Sequence, residues 1–454
     1  MKRRVASDLE RWIQHENRRP LVLRGARQVG KTWLVRDLAE RSGRSLVELN
    51  FERDPALARW FASNDPNQIL GELSLHLGHR VSPKSHLLFL DEIQAAGELL
   101  AKLRWFYEGV PELPVVAAGS LLEFTLADHA FSMPVGRISF RRIEPLSFAE
   151  FLEAHGQVSL LARLEGWRPG LELSPAAHDT ALEWFDRYAM VGGMPAVVAA
   201  DVDSRLPSEV RSMQSELLAT FRADFAKYAG RIDRGVLDLV LSSIAGSIGS
   251  KFVYARADVG VKQHQAKRAL ELLTAAQLTT VVRYTAANGI PLGAEAKDTS
   301  RKAVLLDVGL LHPLLGTPAG SIFPKWDALV PELRARLTEQ LAAQQLRLLC
   351  DPHQEATLYY WRREGGRPGE VDHVLQAMGR VIPLELKAGR SGAMKSLHQF
   401  MSDKRLDFAI RADRNPPSLS TVDLKTTQGD PVRYELLALP LYLLWNLEAI
   451  LGTQ

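Results

Sequence analysis

The chain has 454 residues, 46% of them apolar and 24% charged, and a net charge of only +3, so it is globular in composition and has no polybasic tail. That length suggests about three domains, and a single cysteine, Cys350, excludes an intramolecular disulfide and a multi-cysteine zinc site. The basic start Met1-Lys2-Arg3-Arg4 leads into no apolar signal core, and Pro440, Asn446 and Glu448 break the run Leu436–Leu451, so a cytoplasmic protein with no membrane contact is expected.

The first predicted strand is Leu21-Val22-Leu23. It runs into Gly25-Ala26-Arg27-Gln28-Val29-Gly30-Lys31-Thr32, and a helical pattern follows over Thr32–Glu40. Strand, G-x-x-x-x-G-K-T and helix in that order is the setting of a phosphate-binding loop. Glycines let backbone N–H groups close around a phosphate, and the helix aims its positive end at the same point. Lys31 is expected on the β- and γ-phosphates of ATP, and Thr32 on Mg²⁺.

Ser45–Phe51 reads as a second strand and His86–Leu90 as a third, almost wholly apolar as buried parallel strands are. The third ends in Asp91-Glu92, the Walker B pattern. Asp91 is expected to hold Mg²⁺, and Glu92 to orient and polarise the attacking water. Pro114–Gly119 is a fourth strand. Ser120 at its carboxyl end is placed to sense the γ-phosphate or hold the water, a role compatible with capping a helix over Leu121–Leu126. Ile138–Ile143 predicts a fifth strand, just after Gly136-Arg137.

From Ser147 to about Lys227 the spacing is helical, a lid or connector, and within it the helical run Glu183–Met190 is ended by Gly192-Gly193 and Pro195. Val236–Leu311 reads as a winged helix. Its short helices cover Arg256–Val259 and Gln263–Ala276, Gly260 lies in the turn, and Leu278–Tyr284 with Ala303–Asp307 form the wing. Lys262, His264, Lys267 and Arg268 give the recognition helix cations for DNA phosphates, while Gln263 and Gln265 are its only evident base-reading candidates. Packing against the rest of the chain is the alternative use of this module.

A long amphipathic helix over Ala328–Leu349 carries Glu339. Strands follow over Thr357–Trp361, Val371–Leu375 and Val381–Leu386, then a helix over Gly392–Met401 and a strand over Leu406–Ile410. Residues two apart on a strand share a face, so Glu385 and Lys387 point into one site that Asp372 can reach from the neighbouring strand. Glu370 shares the face of Asp372 and competes with it as a candidate ligand, and His373 turns away. Asp372 and Glu385, with Glu339, are candidate ligands for Mg²⁺, with Lys387 positioning water or a phosphate. Arg362, Arg363, Arg367, Arg390 and Lys395 nearby suit a phosphate backbone or a solvated surface.

The chain resembles the bacterial and archaeal AAA-type ATPases that carry a C-terminal restriction-endonuclease-like domain. The resemblance rests on Arg24–Thr32, Leu87–Gln94, Ala118–Leu122, Gly136-Arg137 with Glu144–Phe148, Val191–Pro195, Leu306–Leu310 and Glu370-Val371-Asp372. The Asp372, Glu385, Lys387 set is similar to the PD-(D/E)xK nuclease signature, with Val371 where the signature has proline. The resemblance implies an arginine finger at Arg137, with Arg141 and Arg142 as alternatives, and a homo-oligomer if the finger acts in trans. The expected fold class is α/β, with a P-loop AAA-type parallel sheet over 1–155, a helical lid over 156–230, a winged helix over 231–318 and a restriction-endonuclease-like α/β domain over 319–454. The implied function is ATP hydrolysis that controls a DNA-facing nuclease-like domain. A nucleotide-gated switch that binds DNA or a protein without cutting is the alternative, and a motor that remodels proteins a third.

Overall fold

Five short strands form the first unit's sheet, and their residues explain their depth. The computed structural model describes residues 1–120, 122, 136–204, 206–228, 232–252, 261–317, 323–365 and 368–452. The chain divides into two units, one of Met1–Pro145 with Ala275–Gln277 and Asp351–Glu355, the other of Leu146–Thr274, Leu278–Cys350 and Ala356–Gln454. The helices expected over Leu121–Leu126 and Arg256–Val259, with Gly260 and Arg367, fall wholly or largely outside the described residues.

In the first unit, α1 (Val5–Gln14) precedes β1 (Leu21–Arg24), α2 (Lys31–Arg41), β2 (Ser45–Asn50), α3 (Pro66–Leu77), β3 (His86–Asp91), α4 (Leu99–Gly109), β4 (Val115–Ala118) and β5 (Ser139–Arg142). The sheet order is β2-β3-β4-β1-β5, with every pair parallel. Every residue of β3 and β4 is buried, as strands covered on both faces require. Leu88, Leu90, Val115 and Ala117 pack with Leu100, Leu103 and Phe106 in one core. α3 is bounded by its sequence: Asp65 caps its first turn, Pro66 opens it, and Gly78 closes it in the left-handed conformation.

The second unit begins with helices. They include α5 (Phe148–Ala154), α6 (Val158–Gly166), α7 (Pro175–Val191), α8 (Pro195–Asp203), α9 (Pro207–Asp224), α10 (Arg234–Ser247) and α11 (Gln263–Ala275). α5 starts in a capping box, in which Ser147 and Glu150 satisfy each other's backbone N–H groups. Then come β6 (Thr279–Thr285), β7 (Ala296–Leu305), α12 (Pro331–Arg347), β8 (Leu358–Arg362), β9 (Glu370–Ala377), β10 (Arg380–Leu386), α13 (Lys395–Lys404), β11 (Phe408–Asp413), β12 (Ser418–Lys425) and β13 (Pro431–Pro440). One mixed sheet joins them in the order β12-β13-β11-β10-β9-β8-β6-β7.

The two strands expected as a wing do pair with each other, antiparallel. They are not a free-standing hairpin, because β6 also pairs in parallel with β8 and so extends the later strands into eight. β12 and β13 were not among the expected strands. β12 is almost wholly exposed, so it carries no apolar alternation to read.

Two of the motifs behind the resemblance meet inside this unit. Asp307 is fully buried and accepts hydrogen bonds from Gly193 N (2.7 Å), Gly309 N (2.8 Å) and Gln344 Nε2 (2.7 Å). Tyr188 donates to Leu146 O at 2.7 Å, and Leu146 N donates to Gly193 O at the same distance. A Cβ on Gly193 would stand 2.1 Å from Leu146 O, so only glycine fits this crossing. The Gly192-Gly193 and Leu306–Leu310 segments are thus a structural lock, with their polar groups spent on one another.

Candidate functional site

The carboxyl ends of β1, β2, β3 and β4 place the phosphate loop, Asn50, Asp91-Glu92 and Ser120 at the same end of the sheet. That end is where open α/β sheets hold ligands. A Cβ on Gly25 would stand 2.6 Å from Ile143 O, so the loop can leave β1 at this angle only through glycine. Arg27, Gln28, Gly30, Lys31, Thr32, Trp33, Glu52, Glu92 and Ser120 line a cavity of about 340 Å³. Ala26 and Val29 are buried in the wall of the loop, and Arg3 donates to Val29 O at 2.8 Å.

Lys31 is 8% exposed and donates to Gly25 O (2.8 Å) and Ala26 O (2.9 Å). Burial pushes its ammonium down to about 8, against the pull of Glu92 and Asp91. Thr32 Oγ1 lies 3.3 Å from Asp91 Oδ2, which also accepts from Asn50 Nδ2 at 3.1 Å. Burial, with Glu92 beside it, holds the Asp91 carboxyl above its ordinary range. Glu92 adopts a left-handed backbone, φ 49°, at the turn that brings its side chain to the pocket. Its Oε2 accepts from Gln94 Nε2 and from Ser120 Oγ, the latter at 3.5 Å. Arg27 Nε donates to Ser120 Oγ at 3.1 Å.

Arg137 does not line this cavity. Its guanidinium pairs with Glu108 at 2.8 Å and its side chain is 44% exposed. Arg141 pairs with Asp8, and Arg142 with Glu144 at 2.8 Å. Sequence reasoning missed Asn50, Glu52, Trp33 and Gln94. Asn50 and Gln94 had a usable signal, since each sits at or just beyond the carboxyl end of a parallel strand.

The carboxylates of the second unit also gather. Asp372 Oδ2 accepts from Leu386 N at 2.7 Å, and Lys387 Nζ lies 2.6 Å from Glu385 Oε1. Glu385 is 6% exposed, and its Oε2 is buried without a hydrogen-bond partner among the described residues. Burial and then Asp372 raise the Glu385 carboxyl. Burial raises Glu339 as well, with Asp372 and Glu370 adding to it against Lys302. His373 is buried on the opposite face, and burial takes its imidazole down to about 3.

Lys302 on β7 is the residue no sequence pattern announced. It is 2% exposed, with Nζ 2.6 Å from Glu370 Oε1 and 4.0 Å from Glu339 Oε1, and it lies over the Tyr360 ring. Burial works against its charge, but Glu339, Glu370 and Asp372 outweigh that and hold its ammonium above the ordinary lysine range. Glu370 is therefore engaged by a lysine. Among the described residues no group of three or more His, Cys, Asp or Glu side chains forms a ready-made metal cage. Arg268 pairs with Glu271, and Arg363 with Asp403.

Residues 17–152 match the AAA domain. Residues 182–321 and 334–419 match two domains of unknown function, DUF8612 and DUF4143. The first unit thus carries an AAA-type domain, built on a P-loop and a five-stranded parallel sheet. No curated protein matches the chain. Among solved structures, the chain is similar to C. elegans PCH-2 at 14% identity, over 39% of this chain and 50% of that one, with a TM-score of 0.23. It therefore spans half the length of that protein's chain. It is also similar to the Aeropyrum pernix ORC2 protein in its ADPNP-ADP complexes, at 16% identity over 68% of this chain and 91% of that one, with a TM-score of 0.33. The ADP form of the same protein gives 13%, 70%, 93% and 0.29. Among the described residues no helix is long and apolar enough to cross a membrane.

Proposed function

We propose that the first unit binds ATP with Mg²⁺ in the cytoplasm and hydrolyses it to ADP and phosphate. The observation that carries this reading is the convergence of Lys31, Thr32, Asp91, Glu92 and Ser120 on one end of the sheet. Lys31 moves from the Gly25 and Ala26 carbonyls to the β- and γ-phosphates. The Thr32 hydroxyl and Asp91 carboxylate are hard oxygen donors that suit Mg²⁺, and they would hold it. When bound, the ion neutralises charge developing on the β- and γ-phosphate oxygens. Glu92, steadied by Gln94 and Ser120, polarises the attacking water. Ser120 sits where it meets the γ-phosphate, with Arg27 across from it.

Arg137 stands outside its own chain's cavity, which favours a finger supplied in trans within a homo-oligomer. Arg137→Ala is then expected to lower turnover by about 10³ and to abolish the rise of specific activity with protein concentration. Unchanged turnover and an unchanged concentration dependence would remove Arg137 from the mechanism.

ATP turnover in this reading controls a DNA-facing PD-(D/E)xK nuclease-like unit with a winged-helix element. Asp372, Glu385 and Glu339 are not a ready-made cage and would have to close in to hold Mg²⁺ there; the buried Oε2 of Glu385, without a hydrogen-bond partner among the described residues, is a donor that fits. Lys387 positions water or the scissile phosphate. A second reading is a nucleotide-gated switch whose second unit binds DNA or a protein without cutting. Lys302 favours it, because a chain cation already pairs with Glu370, lies 4.0 Å from Glu339 and acts on Asp372 and Glu385. A Mg²⁺-dependent cleavage assay with and without ATP separates the two, using wild type, Lys31→Ala and Lys387→Ala. Cleavage lost in Lys387→Ala supports the nuclease, and no cleavage of duplex, single strand or RNA with ATPase intact supports the switch.

A further inference from the structure

The larger cavity of the first unit is not the nucleotide pocket. It measures about 590 Å³, and its lining includes Arg11, Trp12, Arg18, Arg19, Tyr107 and Arg141. Its position follows from strand register. Ser139, also in its lining, pairs with Leu21 at the amino end of β1, whereas the phosphate loop leaves the carboxyl end. The cavity therefore lies beside the edge strand β5, towards the opposite end of the sheet from Lys31.

Its charge is concentrated. Among the described residues that line it, four guanidiniums face one carboxylate, Asp8, in a chain whose whole net charge is +3, while Glu112 and Asp351 act on Arg18 and Arg141 from outside the lining. Asp8 already serves both Arg11 and Arg141. Arg18 is fixed by the backbone, donating to Ile13 O (3.4 Å), His15 O (3.2 Å) and Glu112 O. The Nε atoms of Arg18 and Arg141 are buried and find no hydrogen-bond partner among the described residues. Burial lowers the affinity of both guanidiniums for their protons, so their charge is held at a cost that an anion would relieve. Arg11 and Arg19 are exposed at the rim. Trp12, fixed by its Nε1 donating to Arg19 O at 2.9 Å, and Tyr107 add aromatic surface among these cations.

Arginines interleaved with aromatic rings match a single nucleic-acid strand, which offers phosphates at regular spacing and bases to stack. A duplex hides its bases, and an inorganic anion has no use for the rings. We propose that this cavity binds single-stranded nucleic acid, its phosphates on Arg11, Arg19 and Arg141 and a base against Trp12. The site is independent of the carboxylate cluster and of the nuclease reading.

The test is fluorescence anisotropy of labelled 12-residue DNA and RNA strands on the full chain, with an abasic strand of equal length alongside. The double variant Arg11→Gln/Arg19→Gln removes two exposed cations that take no part in hydrolysis. It is expected to weaken both base-bearing strands about tenfold or more and to flatten the slope of log K against log salt by about 1.4, with ATP turnover unchanged. Trp12→Ala is expected to weaken the base-bearing strands about fivefold or more while leaving the abasic strand as it was, and Trp12→Phe to retain binding. Unchanged affinity and salt slope in the arginine double variant would overturn the proposal. So would equal losses for abasic and base-bearing strands in Trp12→Ala, which would mean a polyanion surface alone. If Lys387→Ala abolishes strand binding and the arginine variant does not, the cavity fails while the nuclease reading stands.

Discussion

Two lysines, both almost completely buried, sit in opposite electrical surroundings. Among the described residues, Lys31 in the first unit has only backbone carbonyls within hydrogen-bond reach, and burial drags its ammonium down to about 8. Lys302 in the second has Glu370 at 2.6 Å and Glu339 at 4.0 Å, and its ammonium is held above the ordinary range. The first is a cation waiting for an anion from outside. The second has found its anions within the chain. A buried charge whose partners come from the fold is costly to unpair, and one left short of them is a candidate for a ligand.

The contrast can be broken at four points. The most fully satisfied cluster is Asp307, so Asp307→Ala should cost about 4 kcal/mol by stranding the buried N–H groups of Gly193, Gly309 and Gln344. Hydrogen exchange in peptides around 188–194 and 305–310 reads that loss directly, and unchanged protection would mean the lock is not one. Lys302→Met should cost about 3 kcal/mol, at the low end for a broken buried pair because Glu370 is a third exposed. Adding Glu370→Gln should return part of the loss in chemical denaturation.

Lys31→Met should do the reverse of Lys302→Met. Turnover falls by about 10²–10³, while stability moves by no more than about 1 kcal/mol. If Lys31→Met unfolds the first unit, the two lysines are not different in kind. The effect smallest near neutral pH concerns His312, a buried base with no carboxylate partner among the described residues, whose Nε2 bonds Ala189 O at 2.9 Å. Burial, then Arg211, take it from 6.5 to about 3. The unfolded chain gains a proton below pH 6.5 that the folded unit refuses until about pH 3. Stability from this group is present above 6.5 and is lost as pH falls, by at most about 1.4 kcal/mol per pH unit. His312→Gln should flatten that acid limb in denaturation curves taken between pH 4 and 7.

The sequence was legible where contacts are local. The phosphate loop, the apolar β3 ending in Asp91-Glu92, and the Glu385 and Lys387 pair each lie within a few residues, so motif and period suffice. Lys302 was not legible, because β7 meets the carboxylates through two long-range contacts, the parallel pairing of β6 with β8 and the docking of β7 on α12, where Leu305 and Gln340 bond each other. The expected chemistry of Glu370 changes for the same reason. Leu306–Leu310 was visible as a motif, but that Asp307 closes on Gly193 rather than on a ligand depends on a crossing that no spacing encodes. The position of Arg137 on Glu108 is likewise tertiary, since the pair joins the start of the β5 segment to α4.

The joining of β6 to β8 has a consequence for inheritance. One recognisable stretch, 182–321, supplies β6 and β7, and another, 334–419, supplies β8 to β11. Neither holds a complete sheet. Expressed from residue 323 onward, the chain would present β8 with its parallel neighbour missing, a bare edge apt to recruit other strands. The two stretches are therefore a single heritable part, and recombination that separates them would yield aggregates rather than modules.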